Sequence, residues 1–225
     1  MKRVLVPRCA PGLARLDHDE AHYVRDVLRL APGDTVEVFD ADSEAPAVLR
    51  AVSRHGVEIE IGEPAPAPPP RTAVVLLGMP RPALVEEAVT LGTEAGASEF
   101  WLFPAERSLP APARLDRLER VALAAARQCR RPRPVSLLAL TGLDGALARA
   151  AALGVPRVFG DLDATTPPPS APAGLVLAVG PEGGWTARER AMLLAEGWMG
   201  ARLGDHVLRA PTAVVAGLLL TRRCW

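Results

Sequence analysis

The chain has 225 residues, of which 49% are hydrophobic, and its 26 basic residues balance 26 acidic ones. This size allows one large domain or two modest ones, and zero net charge excludes binding to nucleic acid through overall charge alone. Three widely separated cysteines form no CxxC pair, so a disulfide or zinc framework is not expected. No stretch reaches the roughly 20 apolar residues of a membrane helix, and the N-terminus has no signal-peptide core. We therefore expect a cytoplasmic protein without a membrane partner.

The N-terminal part is predicted to form a small β-barrel of about seventy residues. Its last strand, GVEIEIG, alternates cleanly, with Val57, Ile59 and Ile61 on one face. One helix interrupts the strands, because DEAHYVRDVLRL places Tyr23, Val27 and Leu30 at helical spacing. The other predicted strands are RVLVP, DTVEVFD and PAVLRAVS.

A proline-rich stretch, GEPAPAPPPR, follows this part and is predicted to be an extended linker. Beyond it, continuous apolar strands alternate with helices, which predicts a mainly parallel sheet covered on both faces. The predicted strands are TAVVLLGM, EFWLFP, PRVFGD, GLVLAVG and GARLG. The predicted helices are PALVEEAVTLGTEAG, RLDRLERVALAAARQC, one that begins near Ala187 and ends at Gly197, and PTAVVAGLLLTRR.

Two glycine-containing loops follow late strands of the predicted sheet. The loop GPEGG ends where Thr186 and Glu189 form a capping box, so a helix should begin there. It contains neither a Walker motif nor GxGxxG, and its glycines suit a bound ligand or only a tight turn. The second loop lies in ARLGDHVLRAPTA, with Pro211 in the first turn of the next helix. Ligands bind at the carboxyl ends of parallel strands, so we expect both loops to line one pocket.

The ordered set GPEGG, Glu189 and LGxxxLRxxTA resembles the RsmE-type ribosomal RNA methyltransferases of the SPOUT superfamily. The segments MKRVLV, HYVRDVLRLAPGDTVEVFDA, TEAGA, ERS and QC also fall where that family has similar segments. The chain departs from the family at Arg130, where glycine is usual, and at Ala210–Pro211, where Thr-Glu is usual. Near Thr90 and Leu91, the family usually has lysine and glutamine.

The resemblance implies a fold and an activity. Residues 1–65 would form a PUA-like RNA-binding β-barrel domain, and residues 66–225 a SPOUT methyltransferase domain with a C-terminal trefoil knot. The protein would be a homodimer that uses S-adenosyl-L-methionine to methylate uracil N3 in 16S rRNA within the small ribosomal subunit. No metal is expected.

The resemblance also implies site residues. Arg209 is the candidate cation for the charge that develops on uracil. Glu182 is a candidate to accept the N3 proton or bind the cofactor, and its pKa would have to rise for efficient base catalysis. The implied cofactor-binding residues are Gly160, Gly180, Pro181, Glu182, Gly183, Gly184, Leu203, Gly204, Val207, Leu208, Arg209 and Thr212.

RNA binding requires contacts to phosphate groups. Eight arginines fall between Glu106 and Pro134, although the first domain is net acidic. The predicted RNA-binding residues are Lys2, Arg3, Arg8, Arg25, Arg29, Arg107, Arg130 and Arg131.

Two other functions are weighed against methyl transfer. A non-catalytic RNA-binding protein with a relic cofactor pocket is favoured by Ala210–Pro211. A small-molecule α/β enzyme is disfavoured because no catalytic triad, metal cluster or phosphate-binding lysine is evident. His18 and His22 have metal-helix spacing but no third ligand, which favours a surface helix. The apolar final helix belongs either to the core or to a homodimer interface.

Overall fold

The computed structural model describes residues 2–67, 71–109 and 114–222, which divide into two compact units. The first unit comprises Met1–Pro69 together with Ala126–Pro134, and the second comprises Pro70–Ala125 and Val135–Trp225. The sequence did not predict that the segment after the arginine-rich helix belongs to the first unit. The domain boundary after residue 65 stays a prediction.

The first unit contains a six-stranded sheet in the order β1-β3-β4-β5-β2, with β6 paired to β4. Only the β1–β3 pair is parallel. The alternation predicted for β5 is confirmed, because Val57, Ile59 and Ile61 are buried and the glutamates between them are exposed. The strands are β1 (Arg3–Leu5), β2 (Gly12–Arg15), β3 (Thr35–Phe39), β4 (Ser43–Ser53), β5 (Gly56–Ile61) and β6 (Ala65–Pro66).

The helical segment of the first unit differs from the prediction. It consists of α1 (His18–His22) and a π-helical turn over Tyr23–Val27. The predicted apolar face is wrong at Val27, which is 59% exposed whereas Val24 is fully buried, but Leu30 does pack against the core. A π turn takes one more residue than an α turn and therefore rotates the residues that follow it. Arg29 then adopts a left-handed backbone conformation with φ of 53°.

The second unit is built on a six-stranded sheet in the order β12-β10-β11-β7-β8-β9. All its pairs are parallel, which confirms the predicted parallel sheet. The sequence analysis missed β9 and α4, because β9 is a short edge strand with no fully buried side chain. The strands are β7 (Thr72–Gly78), β8 (Glu99–Phe103), β9 (Ser136–Ala139), β10 (Arg157–Gly160), β11 (Gly174–Val179) and β12 (Met199–Ala201). The helices are α2 (Pro82–Glu94), α3 (Leu115–Gln128), α4 (Leu143–Ala151), α5 (Ala187–Ala195) and α6 (Ala210–Arg222).

Both faces of this sheet are covered, which explains its continuous apolar strands. Val75 and Leu77 pack into the same core as Val214 of α6, whereas Leu76 packs with Leu147 of α4 on the other face. Because the strands are parallel, the loops after β7, β8, β10, β11 and β12 meet at one edge of the sheet.

Residues 2–67, 71–109 and 114–222 contain neither a membrane-spanning helix nor a group of metal-binding side chains. None of their helices is long and apolar enough to cross a membrane. No group of three or more His, Cys, Asp or Glu side chains within them could hold a metal ion.

Candidate active site

A cavity of about 310 Å³ lies at the carboxyl edge of the parallel sheet. The loops after β8, β10, β11 and β12 all contribute to its wall, as expected for an open parallel sheet. Most of the predicted cofactor-binding residues line it: Gly160, Gly180, Pro181, Glu182, Gly183, Gly184, Leu203, Gly204, Val207 and Leu208.

The GPEGG loop forms a tight turn on this wall. The Gly184 N–H donates to the Pro181 carbonyl at 2.8 Å, and Gly184 has a φ of 67°, a conformation that favours glycine. Trp185 follows and donates its indole N–H to the Gly160 carbonyl at 3.0 Å, which ties this loop to the one after β10. Its ring stacks with Phe103 at a centroid distance of 6.3 Å. Trp185 therefore belongs to the wall of the cavity.

The start of α5 confirms the predicted capping box. The Glu189 N–H donates to the Thr186 hydroxyl at 3.1 Å, and the Thr186 N–H donates to Oε2 of Glu189 at 2.9 Å. Glu189 is only 3% exposed. Its other oxygen, Oε1, accepts a hydrogen bond from the Glu106 N–H at 2.9 Å. Glu189, which marks the start of α5 in the sequence, therefore also connects the loop after β8 to the loop after β11.

Glu182 lines the cavity but is unsuited to accept a proton. Its Oε1 accepts hydrogen bonds from the Arg81 N–H at 3.2 Å and from Arg81 Nε at 3.0 Å. Partial burial raises the pKa of the Glu182 carboxyl, but hydrogen bonds from its own N–H and from Arg81 outweigh this effect and hold the pKa below its ordinary value. Efficient base catalysis needs a raised pKa. The lowered pKa and the Arg81 contacts favour the second predicted role of Glu182, cofactor binding, over the first, and both stay predictions.

A buried carboxylate in the loop after β10 was not predicted. Asp161 is 8% exposed, and its Oδ2 accepts a hydrogen bond from Arg190 Nε at 2.9 Å. Its Oδ1 accepts the Asp163 N–H at 3.1 Å, which closes the loop on itself. A side chain on Gly200 would meet Asp161 Oδ2 at 2.7 Å, so glycine is needed there. The only signal in the sequence was the acidic DLD that follows the strand VFG.

The start of α6 differs in part from the predicted site. Arg209 and Thr212 are not among the lining residues, whereas Ala210 and Ala213 are. Ala210 is 4% exposed and Pro211 is also buried, so this part of the wall is apolar. Pro211 is the second residue of α6, where a missing N–H is tolerated.

The predicted RNA-binding side chains are in different environments. Arg25 donates to Asp26 and to the Ser53 carbonyl and is half-buried. Arg131 is also half-buried, and Arg107 is exposed beside the cavity. The remaining exposed members lie in the first unit and are Lys2, Arg8, Arg29 and Arg130.

Arg3 is the clearest correction among these residues. It is 3% exposed, forms an ion pair with Glu37 and donates to Glu44 at 2.8 Å. It also donates to the Arg131 carbonyl at 2.7 Å and lies 4.4 Å over the ring of Phe39. A guanidinium buried among these partners holds the first unit together and is not available to RNA.

Comparison with known proteins supports the resemblance found in the sequence. Residues 67–221 match an RNA methyltransferase domain, and residues 16–62 match an RNA methyltransferase PUA domain. Ribosomal RNA small subunit methyltransferase E of Mycobacterium bovis is 34% identical, with 92% of this chain and 85% of that protein covered. The protein of the same name from Synechocystis sp. is 30% identical, with 88% and 69% covered.

Solved structures share the fold. A ribosomal RNA small subunit methyltransferase E from Neisseria gonorrhoeae, bound to S-adenosyl methionine, has a TM-score of 0.90 at 22% identity and covers 100% of this chain and 98% of its own. A methyltransferase from Legionella pneumophila in complex with the same cofactor has a TM-score of 0.85 at 22% identity, with 98% and 96% covered. Together with the domain matches and the relatives, this fold establishes that the chain belongs to the ribosomal RNA small subunit methyltransferase E family.

Proposed function

We propose that the protein transfers the methyl group of S-adenosyl-L-methionine to N3 of a uracil in 16S rRNA of the small ribosomal subunit, in the cytoplasm. The observation that carries this proposal is the cavity at the carboxyl edge of the RNA methyltransferase domain, built by the glycine-containing loops that the family resemblance singled out. The relatives are all methyltransferases, which favours an enzyme over a non-catalytic RNA-binding protein.

The residues of the cavity fit this cofactor. Gly180 and Gly183 leave backbone accessible, while Leu203 and Leu208 supply apolar walls for an adenosyl group. The buried carboxylate of Asp161 lines the same cavity and, paired with Arg190, orders the loop after β10. The cofactor would supply the electrophilic methyl group.

The chain's own residues must then make uracil N3 nucleophilic. N3 carries a proton at neutral pH, so the site has to hold the base in line and stabilise the negative charge that develops on its oxygens. Arg209 remains our candidate for this cation. Its side chain is exposed, has no hydrogen-bond or ion-pair partner within residues 2–67, 71–109 and 114–222, and lies between the lining residues Leu208 and Ala210. Glu182, held by Arg81, shapes the loop, and the N3 proton is released to solvent water before the methyl group is transferred.

The first unit provides the RNA-binding surface in this proposal. Lys2, Arg8, Arg29 and Arg130 are exposed and can contact phosphates without losing a buried partner. Arg25 and Arg131 are half-buried, so they would bind RNA only through the N–H groups that their contacts within the protein do not already use. Because the chain has no net charge, binding depends on such a local patch.

We also infer the trefoil knot and a homodimer, both from the family resemblance. One face of α6 is buried in the core, including Val214 and Leu218, but Leu219 and Leu220 are 44% and 42% exposed. A second copy that covers these leucines would remove apolar surface from water. Light scattering of the wild type and of Leu219→Lys tests this arrangement, and a concentration-independent monomer for the wild type would exclude it.

The function is tested by calorimetry with S-adenosyl-L-methionine and by transfer of labelled methyl to unmodified small ribosomal subunits. Digestion of the product to nucleosides locates the methyl group. Gly183→Val should weaken cofactor binding, since a Cβ there would lie 3.0 Å from two carbons of Arg107. Gly145→Ala, which meets no atom within 4 Å, is the matched control. A folded protein that binds the cofactor but never transfers the methyl group would favour the relic-pocket alternative.

A further inference from the structure

Arg107 lies in the loop after β8, where sequence reasoning placed it among the RNA-binding arginines. The structure places it on the wall of the cavity. Its Nη1 donates to the Gly183 carbonyl at 2.6 Å and to the Trp185 carbonyl at 3.4 Å. Its side chain also packs on the loop, because a Cβ on Gly183 would lie 3.0 Å from both Cβ and Cδ of Arg107. Arg107 therefore contacts the GPEGG loop by charge and by packing.

The neighbouring residue anchors the same loop from its other side. The Glu106 N–H donates to the buried carboxylate of Glu189, whose second oxygen accepts the Thr186 N–H. The exposed ion pair between the Glu106 side chain and Arg188, at 3.1 Å, adds little to this anchor. The Glu106 N–H thus holds the chain next to α5 at the residue before Arg107, and the Arg107 guanidinium reaches the two carbonyls from there.

We propose that Arg107 is a positioning residue for methyl transfer, which holds the GPEGG loop in its cofactor-binding conformation before the cofactor arrives. The inference rests on the proposed function of this cavity. A loop with three glycines has many accessible conformations, and ordering it during binding would cost affinity. One guanidinium nitrogen, Nη1, contacts both carbonyls, and the side chain packs on Gly183, so Arg107 holds the loop by hydrogen bonds and by packing.

The experiment compares Arg107→Ala, Arg107→Lys and the control Arg188→Ala with the wild type. Arg188 carries the same charge near the same loop, but it is exposed and absent from the cavity wall. Calorimetry measures cofactor affinity, and filter binding without cofactor measures affinity for small ribosomal subunits. Hydrogen exchange of the amides of residues 182–186 in the cofactor-free protein reports the loop conformation directly.

We expect Arg107→Ala to weaken cofactor binding by about tenfold or more, the scale of losing a charged hydrogen bond. Arg107→Lys should recover part of this loss, and Arg188→Ala should stay within about twofold of the wild type, as is usual for an exposed ion pair. Exchange at residues 182–186 should rise in Arg107→Ala alone, and subunit binding should fall no further than in Arg188→Ala.

Two results would overturn the inference in distinguishable ways. Unchanged cofactor affinity and loop exchange in Arg107→Ala, with weakened subunit binding, would return Arg107 to the RNA-binding set and leave the proposed function intact. A wild type that binds no cofactor would overturn the proposed function, and the positioning role with it. If Arg107→Ala does not fold, Arg107→Met decides, because methionine keeps a long side chain against Gly183 without the donors, and unchanged affinity and exchange in that variant contradict the inference.

Discussion

Arg81 donates two hydrogen bonds to a single oxygen of Glu182, one from its main-chain N–H and one from its guanidinium. A carboxylate held in this way is an acceptor with a defined geometry and a lowered pKa. Its negative charge is already paired with Arg81, the N-cap residue of α2, so the carboxylate ties the GPEGG loop to the start of that helix.

Glu182→Gln should therefore retain most of the methyl-transfer rate, because the amide oxygen can still accept from Arg81. We expect kcat to fall by only a few-fold. In a plot of kcat against pH, the pH at which activity is lost on the acid side should be the same as for the wild type. Loss of a general base costs about 10²–10⁴-fold, and a decrease of that size would restore Glu182 as the proton acceptor. Steady-state assays from pH 5 to 9 distinguish the two results.

Folding stability should depend on pH through the same pair. A carboxyl with a lowered pKa in the folded protein contributes stability above its ordinary value of 4.5, and this contribution is lost as pH falls through the lowered pKa. The contribution of Glu182 to the free energy of unfolding should thus be constant near neutral pH and decline below 4.5. Urea unfolding at falling pH tests this, and Arg81→Ala should remove part of the dependence. An equal decline in Arg81→Ala would assign it to another group.

The buried ion pair of Glu20 and Arg127 predicts that two single variants are less stable than the double variant. Burial raises the pKa of Glu20 above its ordinary value, although Arg127 and the Leu5 N–H act in the opposite direction. Removing either partner should lower the free energy of unfolding by about 3–5 kcal/mol, since the other charge is left buried. Glu20→Leu combined with Arg127→Met should cost much less than either single change. Urea unfolding of the wild type, the two single variants and the double variant measures these free energies. A double variant that loses as much stability as the two single variants together would contradict the prediction.

Adding a methyl group at Gly92 of α2 should lower stability through overpacking, and the same change at Gly145 in the same unit is the control. A Cβ at Gly92 would overlap the ring of Phe100, so Gly92→Ala should destabilise by about 1–3 kcal/mol through overpacking. Gly145 of α4 meets no atom within 4 Å, so Gly145→Ala should stabilise by about 0.5–1 kcal/mol through helix propensity. Thermal unfolding of both variants tests this difference in sign.

Replacing Arg29 or Arg130 with glycine should raise the stability of the protein but weaken its binding to RNA. Both have left-handed backbone conformations, with φ of 53° and 57°. Changing either to glycine should raise the free energy of unfolding by about 1 kcal/mol by relieving strain. The alanine variants keep the strain and serve as controls. If these arginines contact phosphates, both kinds of variant should lose the same subunit affinity, and unchanged affinity would remove them from the RNA surface.

The parts of the fold that follow local rules could be predicted from the sequence. The capping box of Thr186 and Glu189 is set by spacing alone, and the β5 alternation follows from one buried face. Contacts between distant segments could not be predicted in this way. Nothing near Arg3 in the sequence indicates that it is buried beside Glu37 and Glu44, and nothing near Arg107 points to the Gly183 carbonyl, 76 residues later.

The π turn was missed for a related reason. One added residue in a helical turn leaves composition unchanged but rotates every later side chain, so Val27 is exposed where helical spacing predicted burial. The family resemblance located ten residues of the cavity wall correctly, because glycines mark where backbone must approach a ligand. It did not locate Asp161, whose importance depends on burial beside Arg190.

The discontinuous first unit has a consequence for the order of events during synthesis. Its N-terminal part ends at Pro69, yet the unit also contains Ala126–Pro134, which supplies Arg127 to Glu20. At translation rates of about 5–20 residues per second, the ribosome needs roughly 3–11 s to make the intervening chain. During that interval the nascent N-terminal segment carries the Glu20 carboxylate of α1 without its counter-charge. The first part of the chain to emerge therefore cannot complete its fold until the end of α3 has been made.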